Sequence, residues 1–404
     1  LPSMSVCRRR SGVGLASLTL WKTIVGTGIV AMSKAAHDAG WLLFGGLLLI
    51  VGACSHTACV LLARSLDIVG GRDMDLADLG ASAWGAFGWW LAILVMVVDG
   101  WGAAVGYFKV LAGIIQPLLS LVLDLGAVST AAQEQYIIAL LACVVYPMTL
   151  ARDISGLSGI SKLSSLSLLA FVLALVVNAC MHGHSVTQEP QVVLGSEMLL
   201  ALPVIAFAFD CQVNVMPLHR EIDAPIGDRA PVIAKASLLA NLGACVAYYV
   251  AGMCGFATFL DQTNANILVN LPNRFVVFVS IKIVYVVSII LTYPLLIFEC
   301  GDVLMHRILR SESPRARASI QFAFVGTSAI TAAFLDSVYA AFAYVGATTA
   351  ISFMAVLPPL FFLGAASRHF RLTPFSKASG SPAKRSGVAS TKLLLNSEGT
   401  AVAP

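Results

Sequence analysis

The chain has 404 residues, of which 58% are hydrophobic and 11% charged, with a net charge of +4 and a mean hydropathy of +0.87. A soluble domain carries about 25% charged residues, so this composition excludes a disordered chain and argues against a soluble enzyme. The basic residues are scattered and leave no nucleic-acid footprint, while Cys54, Cys59, Cys143, Cys211 and Cys245 fall inside apolar runs as packing residues rather than as a disulfide framework.

Ten apolar runs follow in order, at 14–36, 40–66, 86–116, 135–150, 161–181, 197–218, 233–259, 275–298, 318–335 and 337–363. A spanning helix needs ~20 apolar residues, so each run is predicted to cross a membrane. The first is too long for a signal-peptide core and reads as a retained span. The third is long for one span, and its end from Trp84 to Trp90 is expected at the interface, where Trp is favoured. Lys and Arg fall on alternate loops, with 20 on one side and only Arg274 on the other. That asymmetry supports the span count and predicts both termini in the cytoplasm. The expected organisation is a cytoplasmic segment at 1–13 and a transmembrane domain at 14–370. Within that domain the first repeat covers about 14–181 and the second about 197–363. Residues 371–404, rich in Ser, Gly and Lys, are expected to form a disordered tail.

Two runs carry helix-breaking chemistry at mid-depth. Run one contains Gly26-Thr27-Gly28, where two glycines flank a β-branched polar residue and favour local unwinding. Run six reads from Pro203 through Phe207, Ala208, Phe209, Asp210, Cys211, Gln212 and Asn214 to Pro217, with polar residues at its centre. These are the first helices of two five-helix halves, and paired broken helices at matching positions point to an inverted-repeat transporter with a midplane site. The plainer reading is that the glycines only let helices pack closely.

Charges inside the runs sort by depth. Lys34, Lys109 and Glu299 lie towards span ends, and the lysines are expected to snorkel. Lys22, Asp99, Asp210 and Lys282 lie deeper. A charge at the bilayer centre costs at least ~2.5–3.5 kcal/mol on insertion scales, so such residues face the bundle interior and mark function or buried ion pairs. The pairs that would hold helices together are Lys22 with Asp99, and Asp210 with Lys22 or Lys282. His56 reads as a satisfied interior histidine rather than as a proton relay.

Five segments in order carry a resemblance. They are Thr23-Ile24-Val25-Gly26-Thr27-Gly28-Ile29, Tyr146-Pro147-Met148-Thr149-Leu150-Ala151-Arg152, Phe207-Ala208-Phe209-Asp210-Cys211 leading to Pro217 and Glu221, Gly255-Phe256-Ala257-Thr258-Phe259, and Tyr344-Val345-Gly346-Ala347-Thr348 leading to Leu357-Pro358. With these the chain resembles the amino acid/auxin permease family of the amino acid–polyamine–organocation superfamily, nearest the branch of sodium-coupled neutral amino acid transporters. The resemblance implies an all-α integral membrane protein with a LeuT-type 5+5 inverted-repeat bundle, in which helices 1 and 6 are broken. It also implies an amino acid whose α-carboxylate sits on the amides of Gly26, Thr27 and Gly28. The substrate ammonium would then face carbonyls near Phe207 and Ala208, with Phe209 and Tyr107 as walls. Asp210, ordinarily uncharged in the family, is a further substrate-site candidate.

The departures concern coupling. Lys22 stands where the sodium-coupled branch carries an amide residue, and Gln212 replaces a histidine. Ser288 and Thr292, one turn apart, keep the hydroxyl half of a sodium site. The family usually has an eleventh helix, and this chain turns polar after Leu363; the helix is absent or the sequence is a piece of a longer one. Lys22, Asp99, Ser288 and Thr292 are therefore the ion-coupling candidates.

The expected function is secondary active amino acid transport, coupled to protons or exchange rather than to sodium. The alternative is a non-transporting amino acid sensor of the same fold. No Walker-type phosphate loop occurs, and no paired metal ligands lie in the runs, so neither an ATP-driven pump, an enzyme nor a cofactor is expected. The expected partners are an amino acid, a coupling proton or sodium, and the lipid of a plasma, vacuolar or lysosomal membrane.

Overall fold

A computed structural model describes residues 12–71, 73–122, 129–150, 157–182, 198–273, 275–310 and 313–372, and among these every regular element is helical. The first run forms α1 (Val13–Ile24), a short 3-10 turn (Thr27–Ala31) and α2 (Met32–Ala39), with α1 and α2 bent by 48°. There follow α3 (Trp41–Val69), α4 (Leu76–Trp84), α5 (Ala86–Leu119), α6 (Thr130–Thr149) and α7 (Leu157–His182). The second half opens with α8 (Met198–Ala208), a 3-10 turn (Gln212–Asn214) and α9 (Val215–Glu221). It continues with α10 (Ala230–Phe259), α11 (Ile267–Asn270), α12 (Val276–Asp302), α13 (Pro314–Phe334), α14 (Val338–Val345) and α15 (Leu357–Leu372). Two π-helical stretches, Gly346–Ala350 and Ser352–Val356, join α14 to α15.

Seven of these segments are long and apolar enough to cross a membrane, and the bent α1–α2 pair makes an eighth. The described apolar part of α7, Leu166–Met181, is shorter, and α13 begins with Arg315 and Arg317. All ten apolar runs are helical, so the difference lies in composition. Large apolar side chains such as Leu49, Ile50, Trp90, Leu94, Leu169 and Val276 face outward, as lipid contact requires.

A separate helix, α4, precedes the third run, which is itself one helix, α5. Gly85 turns the chain at φ 64°, a conformation glycine adopts without a Cβ penalty. Asp75 caps α4 in a reciprocal capping box with Asp78. Trp84 therefore ends a separate helix, where its indole N–H donates to the Leu360 carbonyl of α15 at 2.7 Å. The carboxylates of Asp75 and Asp78 also hold Arg307.

The bundle is closed at one end and looser at the other. Counting crossings from α1, α2 ends on the face opposite to the one where α1 begins. There α2 packs on α8 and α10, and α8 on α14. Backbones meet without intervening side chains: a Cβ on Gly346 would lie 1.8 Å from the Pro203 carbonyl oxygen. Phe207 and Phe342 stack there at 4.5 Å. On the face where α1 begins, α1 lies chiefly along α10.

Two buried-lysine expectations change, those for Lys109 and Lys282. Lys109 does not snorkel; it is 2% exposed, pairs with Glu134 at 2.6 Å and donates to the Leu335 carbonyl at 2.7 Å. Lys34 pairs with Asp38 at 2.6 Å, one helical turn away. Lys282 is fully buried but meets neither aspartate, donating instead to the Leu271 carbonyl at 2.7 Å and to Asn273 Oδ1 at 2.6 Å. Its ammonium thus satisfies the carbonyl that follows α11, where the helix leaves acceptors unpaired. His56 is hydrogen-bonded to the Ser237 hydroxyl at 2.8 Å, as a satisfied interior histidine should be.

Candidate functional site

The first break follows from the glycines. Val25 leaves the helical region at ψ 71° and Gly26 at ψ −144°. The Gly26 amide turns back to the Ile24 carbonyl at 2.8 Å. Thr27 and Gly28 open the new helical turn, so their N–H groups have no partner within it. The result is a pair of free donors at the positive end of a half-helix, an arrangement that attracts anions.

The second break presents acceptors. The helix ends at Ala208, and residues 209–211 run unwound into the 3-10 turn. Its carbonyls are held from neighbouring helices. The Ser55 hydroxyl of α3 donates to the Phe209 carbonyl at 3.0 Å, and the Gln212 amide donates to Ser55 at 3.1 Å. Tyr248 of α10 joins the two breaks: its hydroxyl proton serves both the Ala208 carbonyl, at 2.8 Å, and the Ile24 carbonyl. The breaks also touch directly, since a Cβ on Gly28 would lie 2.8 Å from the Ala208 Cβ. Gly26 has ordinary room for one, 3.5 Å from the nearest atom.

A cavity of about 190 Å³ lies where the breaks meet. The first break lines it with Gly26, Thr27 and Gly28, and α5 with Asp99, Ala103 and Tyr107. The sixth run contributes Phe207, Ala208, Asp210 and Cys211, then Val213 and Asn214 below the break. Thr23 and Ile24 complete that lower side, and no residue of α2 takes part. The cavity therefore extends from the breaks towards the face where α1 begins.

Asp99 and Asp210 meet in this cavity. Both carboxyl groups line it, near enough to interact, and the Thr349 hydroxyl donates to Asp99 Oδ1 at 2.6 Å. The register behind this contact is set by small residues. Gly102 of α5 faces Val345, Gly106 faces Phe342, and each glycine gives the close approach that a Cβ would block at 2.4 and 2.5 Å. The same antiparallel match carries Asp99 to Thr349.

Six expected substrate residues line the cavity with Asp210: Gly26, Thr27, Gly28, Tyr107, Phe207 and Ala208. Phe209 is different. It is fully buried behind the break, edge-on to Tyr248 at 5.3 Å, because the unwound backbone turns its side chain away from Phe207's direction. Of the ion-coupling candidates only Asp99 lines the cavity. Lys22 forms no ion pair among the described residues, so the expected pairs with Asp99 and Asp210 do not form. Ser288 is buried, and the Thr292 hydroxyl donates back to its own helix at the Ser288 and Ile289 carbonyls, 3.0 Å each. Sequence reasoning missed Tyr248, Ser55 and Thr349. Each sits in an apolar run, and its only signal was a hydroxyl at span depth.

Known proteins resemble this chain at modest identity. It is 23% identical over 292 residues, 70% of its length, to solute carrier family 38 member 10 of Rattus norvegicus, but spans only 25% of that protein. It is 22% identical over 382 residues to sodium-coupled neutral amino acid symporter 2 of Danio rerio, covering 87% of this chain and 75% of that one. The inward facing conformation of Mhp1 superimposes with a TM-score of 0.62 at 10% identity, over 88% of this chain and 77% of that chain. MhsT in complex with L-phenylalanine gives a TM-score of 0.55 at 13% identity, over 89% of both chains. The fold is thus the LeuT-type helix bundle of a multi-pass membrane transporter. The family model for transmembrane amino acid transporter proteins matches residues 9–373, nearly all of the described chain, and the protein belongs to that family.

Proposed function

We propose that this protein is a secondary transporter that carries an amino acid between the two breaks, driven by protons or by exchange rather than by sodium. The observation that supports it most is that free amide donors on one broken helix and acceptors on the other line one cavity of amino-acid size. The α-carboxylate lies on the amides of Thr27 and Gly28, with Gly26 giving it room, as a helix N-terminus favours an anion. The α-ammonium faces the carbonyl end of α8 at Phe207 and Ala208, and Tyr107 and Phe207 flank the side chain. With both termini in the cytoplasm, as the basic loops imply, the cavity opens inward.

Sodium independence rests on Lys22, Ser288 and Thr292. Lys22 occupies the last turn of α1, and its ammonium, with three donors and no acceptor, cannot ligate sodium there. Ser288 and Thr292 lie on α12, whereas α1 packs chiefly on α10. Uptake of labelled amino acids by proteoliposomes, with sodium replaced by choline at constant pH, tests this reading. Undiminished uptake is expected; loss of uptake refutes sodium independence, and absence of uptake under every gradient refutes transport.

A further inference from the structure

The cavity holds a feature that a site for neutral amino acids does not require: two carboxyl groups near enough to interact, with no basic side chain among the described residues to neutralise them. Asp99 reaches in from α5 and Asp210 from the second break, and each lines the cavity. Thr349 fixes one of them, donating to Asp99 Oδ1 at 2.6 Å. The second is left incomplete. Oδ1 of Asp210 is shielded from solvent and has no hydrogen-bond partner. A buried carboxyl oxygen without a donor is costly, and Asp210 itself lines the cavity, where an entering donor can reach its carboxyl group.

Among the described residues no cation fills that role. Lys282 is committed to the Leu271 carbonyl and Asn273. Lys22 is not among the residues that line the cavity. The described titratable groups nearest the pair are uncharged donors or thiols: Tyr107 from α5, Cys211 from the break and Cys59 from α3. The 3-10 turn after the first break offers Thr27, the π-helical stretch Thr349, and α12 the apolar Leu296. Three or more metal-binding side chains do not gather anywhere among the described residues.

We infer that Asp99 and Asp210, held by Thr349, form the subsite for a basic side chain, so that the protein selects cationic amino acids of the lysine and arginine class. This rests on the amino acid site proposed above and adds its substrate class. Two carboxylates in one cavity repel, so the empty pair holds a proton. An entering ammonium or guanidinium offers several donors, satisfies the Asp210 carboxyl group and displaces that proton into the cavity, one cation for one proton. Guanidinium fits two carboxylates through its fork of N–H groups. The α-carboxylate stays with the amides of the first break, so both ends of the substrate meet opposite charge.

The test compares near-isosteric pairs on the purified wild-type protein: arginine against citrulline, and lysine against norleucine, by thermal shift and by uptake into proteoliposomes. The basic member of each pair is expected to bind at least tenfold more tightly. Asp99→Asn and Asp210→Asn are each expected to abolish that preference. Equal or better binding of citrulline and norleucine by the wild type overturns the inference even if neither variant folds, as does a variant that keeps the preference. Binding of neutral amino acids alone leaves the transport reading standing and removes this one; binding of no amino acid removes both. Uptake that requires sodium and disappears in either Asn variant, without a preference for basic substrates, reassigns the pair to an ion and likewise overturns it.

Discussion

The two breaks do opposite jobs with opposite chemistry. The first is made by glycine and carries no charge; it offers backbone N–H groups, and its tightest constraint is steric, at Gly28 against Ala208. The second contains no glycine. It is built from Phe209, Asp210, Cys211 and Gln212, its carbonyls are tied down by Ser55 and Tyr248, and it brings a carboxyl into the cavity. Unwinding a helix in a membrane exposes backbone groups that need partners. The first break leaves its donors free for a ligand, whereas the second is satisfied by neighbouring helices and offers side-chain chemistry instead. A site that must hold a zwitterion needs one pole of each kind.

The largest effect expected from disturbing this contrast is at Gly28. Gly28→Val puts a branched side chain where even a Cβ would lie 2.8 Å from Ala208, so uptake should fall at least a hundredfold with insertion intact. Gly26→Ala, which has room, should retain most of it. Equal losses in the two variants, measured as uptake per inserted molecule, would remove the steric distinction.

Next in size is Tyr248→Phe. It deletes the hydroxyl that serves Ile24 and Ala208, one carbonyl from each break. Leaving a buried acceptor unpaired costs about 1–3 kcal/mol, and the variant should melt earlier and bind substrate more weakly. An unchanged melting temperature and affinity would mean that the breaks hold their shape without it.

A smaller effect belongs to Thr349→Val, which removes the hydrogen bond to Asp99 and the hydroxyl's contact with the Val345 carbonyl of its own helix. A hydrogen bond to a charged group contributes about 1.5–3 kcal/mol, so binding of basic substrates should weaken about tenfold or somewhat more, with neutral substrates little changed. Acidifying the cavity side should act in the same direction, since protons and basic side chains compete for one carboxyl pair. Binding of basic substrates that strengthens on acidification would show that the proton is not the competitor.

The asymmetry also explains what was legible in the sequence. Glycine breaks announce themselves, because Gly26 and Gly28 interrupt an apolar run in a way that few other residues do. The ten runs were equally readable, since hydrocarbon leaves little choice but helix. Phe209 was misplaced because alternate residues along an unwound segment face ways that helical periodicity does not predict. Lys282 and the aspartates looked like partners by charge balance alone; only the packing of α12 against its neighbours shows the lysine spent on Leu271 and Asn273. Tyr248 and Thr349 were invisible because a hydroxyl in a span has many uses, and which one it takes depends on the helix across from it.

The central claim is that the breaks form one bipolar site, with the donors of Thr27 and Gly28 reading the α-carboxylate. Binding of L-amino acids and of their decarboxylated amines to the purified protein, followed by calorimetric titration, tests it most directly. The amino acids should bind and the amines, which keep the same side chain and ammonium, should bind at least a hundredfold more weakly. Amines that bind as tightly as the parent amino acids would contradict the account.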